Sequence, residues 1–200
     1  MAIILGFLAL VIAYLLGSIP CGLLLAKYKA GIDVRTQGSR NIGATNIMRV
    51  CGKKLGAMTF ALDALKGAAA VWIAMAFGLG IGVQSLVGLV AVLGHIFPYW
   101  LNFKGGKGVA TALAVYGALY WPLMIFACLC WIGVFFLSRI SSVASLAMML
   151  ASLAIAWVYA PTPVGWAVTI INIVVIIRHK ENIMRLLRGE ELPVKTEAAL

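Results

Sequence analysis

Long apolar runs separated by short polar connections organise the chain. Seven runs are read, over about Ile3–Ala26, Leu55–Phe77, Val83–Leu101, Val109–Tyr120, Leu123–Leu137, Val143–Tyr159 and Val164–Ile177. A membrane crossing takes roughly 20 apolar residues. The pattern therefore predicts an all-α membrane protein with seven transmembrane helices in a single polytopic domain, 1–200. Runs four, five and seven are short for a full span. Local thinning of the bilayer or inclined packing accommodates the first two of these, and Trp121-Pro122 argues against fusing runs four and five. The connections alternate in character. Gly78-Leu79-Gly80-Ile81-Gly82, Trp121-Pro122 and Ala160-Pro161-Thr162-Pro163 carry no charge, whereas 27–54, 102–108, 138–142 and the tail 178–200 are basic. Of the 16 lysines and arginines, all but Lys66 fall in those four stretches. Basic connections stay on the cytoplasmic side, so the N-terminus is predicted outside and the C-terminus inside.

Composition agrees with this reading. Of the 200 residues, 64% are hydrophobic and 11% charged, more apolar surface than a soluble domain buries. The first run lacks a basic leading region and is too long for the core of a cleaved signal. Cys21, Cys51, Cys128 and Cys130 form no Cys-x-x-Cys pair and have only two histidines for company. Neither zinc nor a disulfide framework is expected. The net charge of +10 reports topology first, then affinity for anionic lipid or a phosphorylated substrate. Nucleic acid is not an expected partner.

Candidate chemistry gathers in the basic connections. Gly94 to Thr111 joins two apolar runs, and its centre, Phe103-Lys104-Gly105-Gly106-Lys107-Gly108, holds three glycines and two lysines. Glycine lets backbone N–H groups turn inward into an anion-binding nest. A helix beginning after Gly108 would aim its positive end at the same point. The spacing is not that of a Walker A loop, and a flexible interfacial turn with anchoring lysines is the plainer alternative. The first connection carries Gly38-Ser39-Arg40-Asn41-Ile42-Gly43-Ala44-Thr45-Asn46-Ile47-Met48-Arg49. It is the basic, hydroxyl and amide donor set that phosphate binds, with a solvated loop as the alternative. Asp63 and Lys66 are the charged pair well inside a run, spaced i, i+3 on one helix face; a functional and a structural role both remain open. His95 and His179 sit at the inside ends of runs three and seven. His179, followed by Asn182 and Arg185 on one helical face, is the better acid–base or phosphate contact. There is no Gly-x-Ser-x-Gly elbow or His-x-x-x-x-Asp pattern, and no carboxylate pair within the connections 27–54, 102–108 and 138–142, which disfavours covalent hydrolysis.

Three stretches together resemble a known family, the integral-membrane acyl-phosphate:glycerol-3-phosphate acyltransferases of the PlsY type. They are Gly38-Ser39-x-Asn41-x-Gly43-Ala44-Thr45-Asn46-x-x-Arg49, preceded by Gly17-Ser18-Ile19-Pro20; Gly94-His95-x-Phe97-Pro98 through Phe103-Lys104-Gly105-Gly106-Lys107-Gly108-Val109-Ala110-Thr111; and Arg178-His179-x-x-Asn182-Ile183-x-Arg185-Leu186, ending near Gly189 and Glu191. Length, span count and motif order match from end to end. One position departs: the family commonly has Gly between the Ser and the Asn of the first motif, where this chain has Arg40.

The resemblance implies seven transmembrane helices in a bacterial inner membrane, with the motifs on the cytoplasmic side. It implies transfer of an acyl group from acyl phosphate to the 1-hydroxyl of glycerol 3-phosphate, the first step of phospholipid synthesis, without metal or organic cofactor. It also implies functional coupling to an enzyme that makes acyl phosphate. Carried over, Ser39, Arg49, Lys104, His179 and Asn182 are the expected catalytic set. Arg40, Asn41, Thr45, Asn46, Gly105, Gly106, Lys107, Gly108 and Ser142 are expected to bind substrate phosphate, and Glu191 to be structural. An acyl phosphate is already activated, so the hydroxyl attacks its carbonyl directly. The proton goes to His179 or, as preferred here, to the donor's own phosphate. A transporter for a phosphorylated solute is the main rival class, but it predicts charge along a path through the midplane. A non-catalytic lipid-binding protein explains basic loops but not glycines clustered with Asn, Ser and His.

Overall fold

The computed structural model describes residues 1–191, 193 and 194; the far end of the predicted tail lies outside them. The described chain is all helix, turn and loop. In order it forms α1 (Ala2–Ser18), α2 (Cys21–Ala30), α3 (Ala44–Cys51), α4 (Lys53–Ala76), α5 (Ile81–Ile96), a 3-10 turn (Tyr99–Leu101), α6 (Val109–Leu119), α7 (Trp121–Ser138), α8 (Ser141–Tyr159), α9 (Thr162–Arg178) and α10 (Lys180–Leu187). Each apolar run of the sequence is represented. Two features differ from expectation. The first run is broken at Ile19-Pro20, because proline has no N–H to continue α1. The first basic connection contains α3, a strongly amphipathic helix of 8 residues.

Length separates the helices into classes. Five stretches are long and apolar enough to cross a membrane: Ala2–Ala30, Lys53–Ala76, Ile81–Leu101, Trp121–Ser138 and Ser141–Tyr159. The α9–α10 pair, bent by 55°, makes a sixth if read as one broken span. Helix α6 has only 11 residues, about 16 Å of rise against a hydrocarbon core of about 30 Å. Gly108 in the left-handed region and the extended Tyr120 bound it at either end.

Small residues bring the helices close. A Cβ on Gly17 would collide with the Ala91 carbonyl of α5, and one on Gly94 with the Tyr14 carbonyl of α1. Without a hydrophobic drive between helices in lipid, such backbone approach carries the packing. The Tyr14 hydroxyl fixes the pair by donating to the Phe97 carbonyl at 2.8 Å. The main core is built from α5, α6, α8 and α9 around Val92, Ile96, Tyr116, Met148, Met149 and Ile171. Within it the Tyr116 hydroxyl donates to Asn172 Oδ1 at 2.6 Å, and Asn172 Nδ2 donates to the Met149 carbonyl at 2.7 Å. A buried amide away from water needs such partners. Exposed Phe7, Phe126, Leu129 and Phe136 face outward, as an apolar solvent permits.

Candidate active site

One cavity of about 760 Å³ receives the predicted site residues: all of them line it except Gly106. It opens where four helices begin. Residues at the N-terminal ends of α3, α6, α8 and α10 all line its wall. The unpaired N–H groups and dipole of each helix start favour anions. Arg35, Arg40, Arg49, Lys104, Lys107, Arg178 and Arg185 stand around the same space.

The 38–49 stretch is shaped by a buried amide. Asn46 Nδ2 lies within bonding reach of the Val34, Gln37 and Asn41 carbonyls, and its Oδ1 accepts the Ser39 N–H at 2.9 Å. Its polar atoms are therefore engaged in the loop. Asn46 was expected to bind phosphate; here it clamps the backbone that presents Ser39, Arg40 and Asn41. Asn41 Oδ1 in turn accepts the Gly43 N–H at 2.9 Å, just ahead of α3. Gly38 and Arg40 both have positive φ, 57° and 58°. Arg40 thus occupies the conformation that suits the glycine expected of the family, and its exposed side chain reaches the cavity mouth. Thr45 Oγ1 lies 3.2 Å from Ser141 Oγ, joining α3 to the start of α8.

The glycine loop departs from the expected nest. The N–H groups of Lys104, Gly105 and Gly106 donate to the carbonyls of Leu101, Ile96 and His95. Those of Gly105 and Gly106 cap the end of α5 and that of Lys104 closes on the 3-10 turn, so all three are engaged within the protein. Gly105 and Gly106 are small for another reason. A Cβ on Gly105 would strike the His95 carbonyl and Pro98, and one on Gly106 the His95 ring. What the loop offers a ligand is the start of α6 after Gly108, together with the two lysine side chains. Lys104 is exposed. Lys107 is drawn down to about 8, chiefly by burial, with Glu191 opposing and Arg185 adding to the fall.

The third wall closes through Glu191. Its Oε1 accepts from Ser142 Oγ at 2.7 Å and from Asn182 Nδ2, and its Oε2 from Arg185 Nε at 2.6 Å. The tail after α10 is thereby tied to α8. Burial alone would raise the Glu191 carboxyl; the three donors outweigh it, and the net direction is down. His179 sits at the break between α9 and α10. Its Nδ1 lies 2.7 Å from the Val175 carbonyl, which only accepts, so Nδ1 carries the proton and Nε2 is left as the acceptor. Burial, then the nearby Lys107 charge, pushes the ring down to about 4.

Among the lining residues outside the expected set, three come from elements beside the glycine loop. Asp63 and His95 reach the cavity from α4 and α5, and Arg178 from the end of α9. Arg178 donates to the Gly105 carbonyl at 3.2 Å and stacks over Phe97. The sequence signal for Asp63 was its charge inside an apolar run; His95 and Arg178 had theirs as members of the second and third motifs, though neither was assigned a role.

Comparison with known proteins adds to this geometry. A family model described as glycerol-3-phosphate acyltransferase matches residues 7–189. A glycerol-3-phosphate acyltransferase of Mesorhizobium japonicum is 49% identical over 185 residues, 92% of this chain and 93% of the relative. One from Aquifex aeolicus is 44% identical over 183 residues, covering 90% and 95%. The crystal structure of PlsY, an integral membrane glycerol 3-phosphate acyltransferase, in its glycerol 3-phosphate form superposes with a TM-score of 0.91 at 42% identity, covering 96% of both chains. Its lysophosphatidic acid form gives 0.88 at 42% identity over 94% of each.

Proposed function

The chain belongs to the glycerol-3-phosphate acyltransferase family, of the PlsY type, and we propose that it moves an acyl group from acyl phosphate to the 1-hydroxyl of glycerol 3-phosphate. Lysophosphatidic acid and inorganic phosphate are the products. The observation that carries this reading is the convergence of four helix N-termini and a ring of arginines and lysines on one cavity. Two phosphate-bearing substrates bring several negative charges together, and only such a field holds both at near-attack distance.

The residues take the following roles. Lys104, Lys107 and the start of α6 hold the phosphate of glycerol 3-phosphate. Ser39, Arg40 and Arg49, with the start of α3, hold the acyl phosphate. The substrate hydroxyl attacks the carbonyl carbon; the new C–O ester bond forms as the bond from the carbonyl carbon to the phosphate oxygen breaks. Arg49 and the α3 terminus stabilise charge on the departing phosphate. His179, held neutral by burial, accepts a hydrogen bond from the hydroxyl and orients it. With so low a pKa it is a weak base, which favours the leaving phosphate as proton acceptor. Asn182 and Ser142, gathered by Glu191, set the third wall. No metal or cofactor enters these steps.

The site lies on the cytoplasmic face of a bacterial inner membrane. Seven segments cross or enter the bilayer, α6 as the short one, with the N-terminus outside. The donor is supplied by an enzyme that makes acyl phosphate. The test is product formation by the purified protein in lipid, with labelled glycerol 3-phosphate and acyl phosphate, acyl-CoA or an acyl carrier protein thioester, beside Lys104→Ala. Lysophosphatidic acid from acyl phosphate alone, lost in the variant, is expected. Product from a thioester would overturn the donor assignment, and no product with any donor would overturn the activity.

A further inference from the structure

Beside the cavity, inside the apolar part of the fold, a buried ion pair and a histidine have no place in the steps above. Asp63 and Lys66 on α4 and His95 on α5 are 3%, 6% and 6% exposed. Lys66 Nζ lies 2.9 Å from Asp63 Oδ1 and donates to the Ile19 carbonyl at 2.7 Å. That carbonyl sits at the Pro20 break between α1 and α2. The same Asp63 oxygen is 3.5 Å from His95 Nδ1. Burying ions is costly unless each is paired, and an ionised group within a span is expected to serve function.

The connections of Asp63 say what it serves. Its backbone carbonyl accepts the Thr111 hydroxyl at 2.9 Å, which fixes the first turn of α6. Its carboxylate faces His95, whose carbonyl accepts the Gly106 N–H and whose ring abuts Gly106 so closely that no Cβ fits between them. The middle of the Lys104–Gly108 loop and the first turn of the helix that follows it are thus both referred to one residue. Lys66 holds that residue by anchoring it to the α1–α2 break. Asp63 and His95 reach the cavity wall at the same place.

We propose that Asp63, with Lys66 and His95, is a positioning unit that sets the Lys104–Gly108 loop and the α6 N-terminus for glycerol 3-phosphate. It acts on the acceptor side only, since the 38–49 stretch and the Glu191 cluster are held by other bonds. The inference rests on the reading that this loop receives the phosphate of glycerol 3-phosphate.

The test measures separate KM values for glycerol 3-phosphate and acyl phosphate, with thermal midpoints, in Asp63→Asn, Lys66→Met, the double variant and His95→Gln. Asp63→Asn leaves Lys66 as an unpaired buried charge and is expected to lower the midpoint. The double variant removes both charges, which buried pairs often tolerate, so its midpoint returns toward wild type. Its KM for glycerol 3-phosphate is nonetheless expected to stay about tenfold raised, with the donor KM within about twofold, because a misplaced loop loses acceptor binding. His95→Gln, with the ion pair intact, is expected to show the same split. A double variant with both midpoint and acceptor KM restored would make the trio a structural ion pair and overturn the proposal, as would equal rises in both KM values. Lys104→Ala in the same assay separates the premise: an acceptor KM unmoved there removes the loop's assigned ligand, whatever the Asp63 variants do.

Discussion

Two side chains at the cavity show how the fold tunes single residues. Lys107 loses its proton at about 8 because burial outweighs the nearby Glu191 carboxylate. Its charge is present below that pH and absent above it. If it holds substrate phosphate, the KM for glycerol 3-phosphate is expected to climb above about pH 8, while Lys107→Arg, which stays charged, moves that limb to higher pH. Initial rates across a pH series would show it, and a flat KM through pH 9 would deny Lys107 the role. Stability runs the other way. Between about 8 and the ordinary lysine range of 10.5 the folded state binds fewer protons than the unfolded one, so folding gains as pH rises. Arg40 presents a different tension. Its φ of 58° is a left-handed value that disfavours any residue with a Cβ by about 1–2 kcal/mol. Arg40→Gly is expected to recover about 1 kcal/mol, less the added chain entropy of glycine, read as a higher thermal midpoint in lipid. An unchanged or lower midpoint would mean that the arginine side chain stabilises the loop by more than its backbone strains it.

At the level of elements, the site depends on short segments docked against long helices. Glu191 lies 49 residues beyond Ser142 yet gathers Ser142, Asn182 and Arg185. Removing it by Glu191→Ala leaves those donors without their acceptor and is expected to lower stability by about 2–3 kcal/mol, with kcat falling as Asn182 loses its orientation. A variant with wild-type midpoint and kcat would show the tail to be dispensable. Gly106→Ala places a methyl against the His95 ring; the loop must shift, and activity is expected to fall by about a hundredfold or more. This scale also marks what the sequence could not reveal. The Ser39–Arg49 motif was legible as a donor-rich stretch, but the engagement of Asn46 with three carbonyls depends on a fold-back that no spacing encodes. Glycines at 105 and 106 suggested inward N–H groups. Their real constraint is contact with His95, a packing fact invisible until α5 and the loop are in place. Helix α3 was hidden because its 8 residues lie within a basic connection, and the Pro20 break because apolar residues continue on both sides of it.

For the whole molecule, the signal that survived best from sequence to structure is one-sidedness. Runs of apolar residues are long-range features, and their order and approximate limits reappear in α1–α2, α4, α5, α6, α7, α8 and α9. The basic connections were grouped in the sequence by charge alone; in the fold they supply the walls of a single cavity. The physics of insertion favours such a grouping by keeping lysine and arginine on the cytoplasmic side; in the orientation proposed above, it leaves a phosphate-binding site only one face to occupy. The orientation can be tested without reference to activity. In a background with Cys21, Cys51, Cys128 and Cys130 replaced, single cysteines are placed at exposed positions: Gln37 and Arg188 in basic connections, Gly80 and Thr162 in uncharged ones. A membrane-impermeant maleimide applied to intact bacterial spheroplasts is expected to label Gly80→Cys and Thr162→Cys, and to reach Gln37→Cys and Arg188→Cys only after permeabilisation. The reverse pattern would invert the topology. Labelling of Gly80→Cys and Gln37→Cys from the same side would mean that α4 does not cross the bilayer, and the convergence of the basic connections would then need another cause.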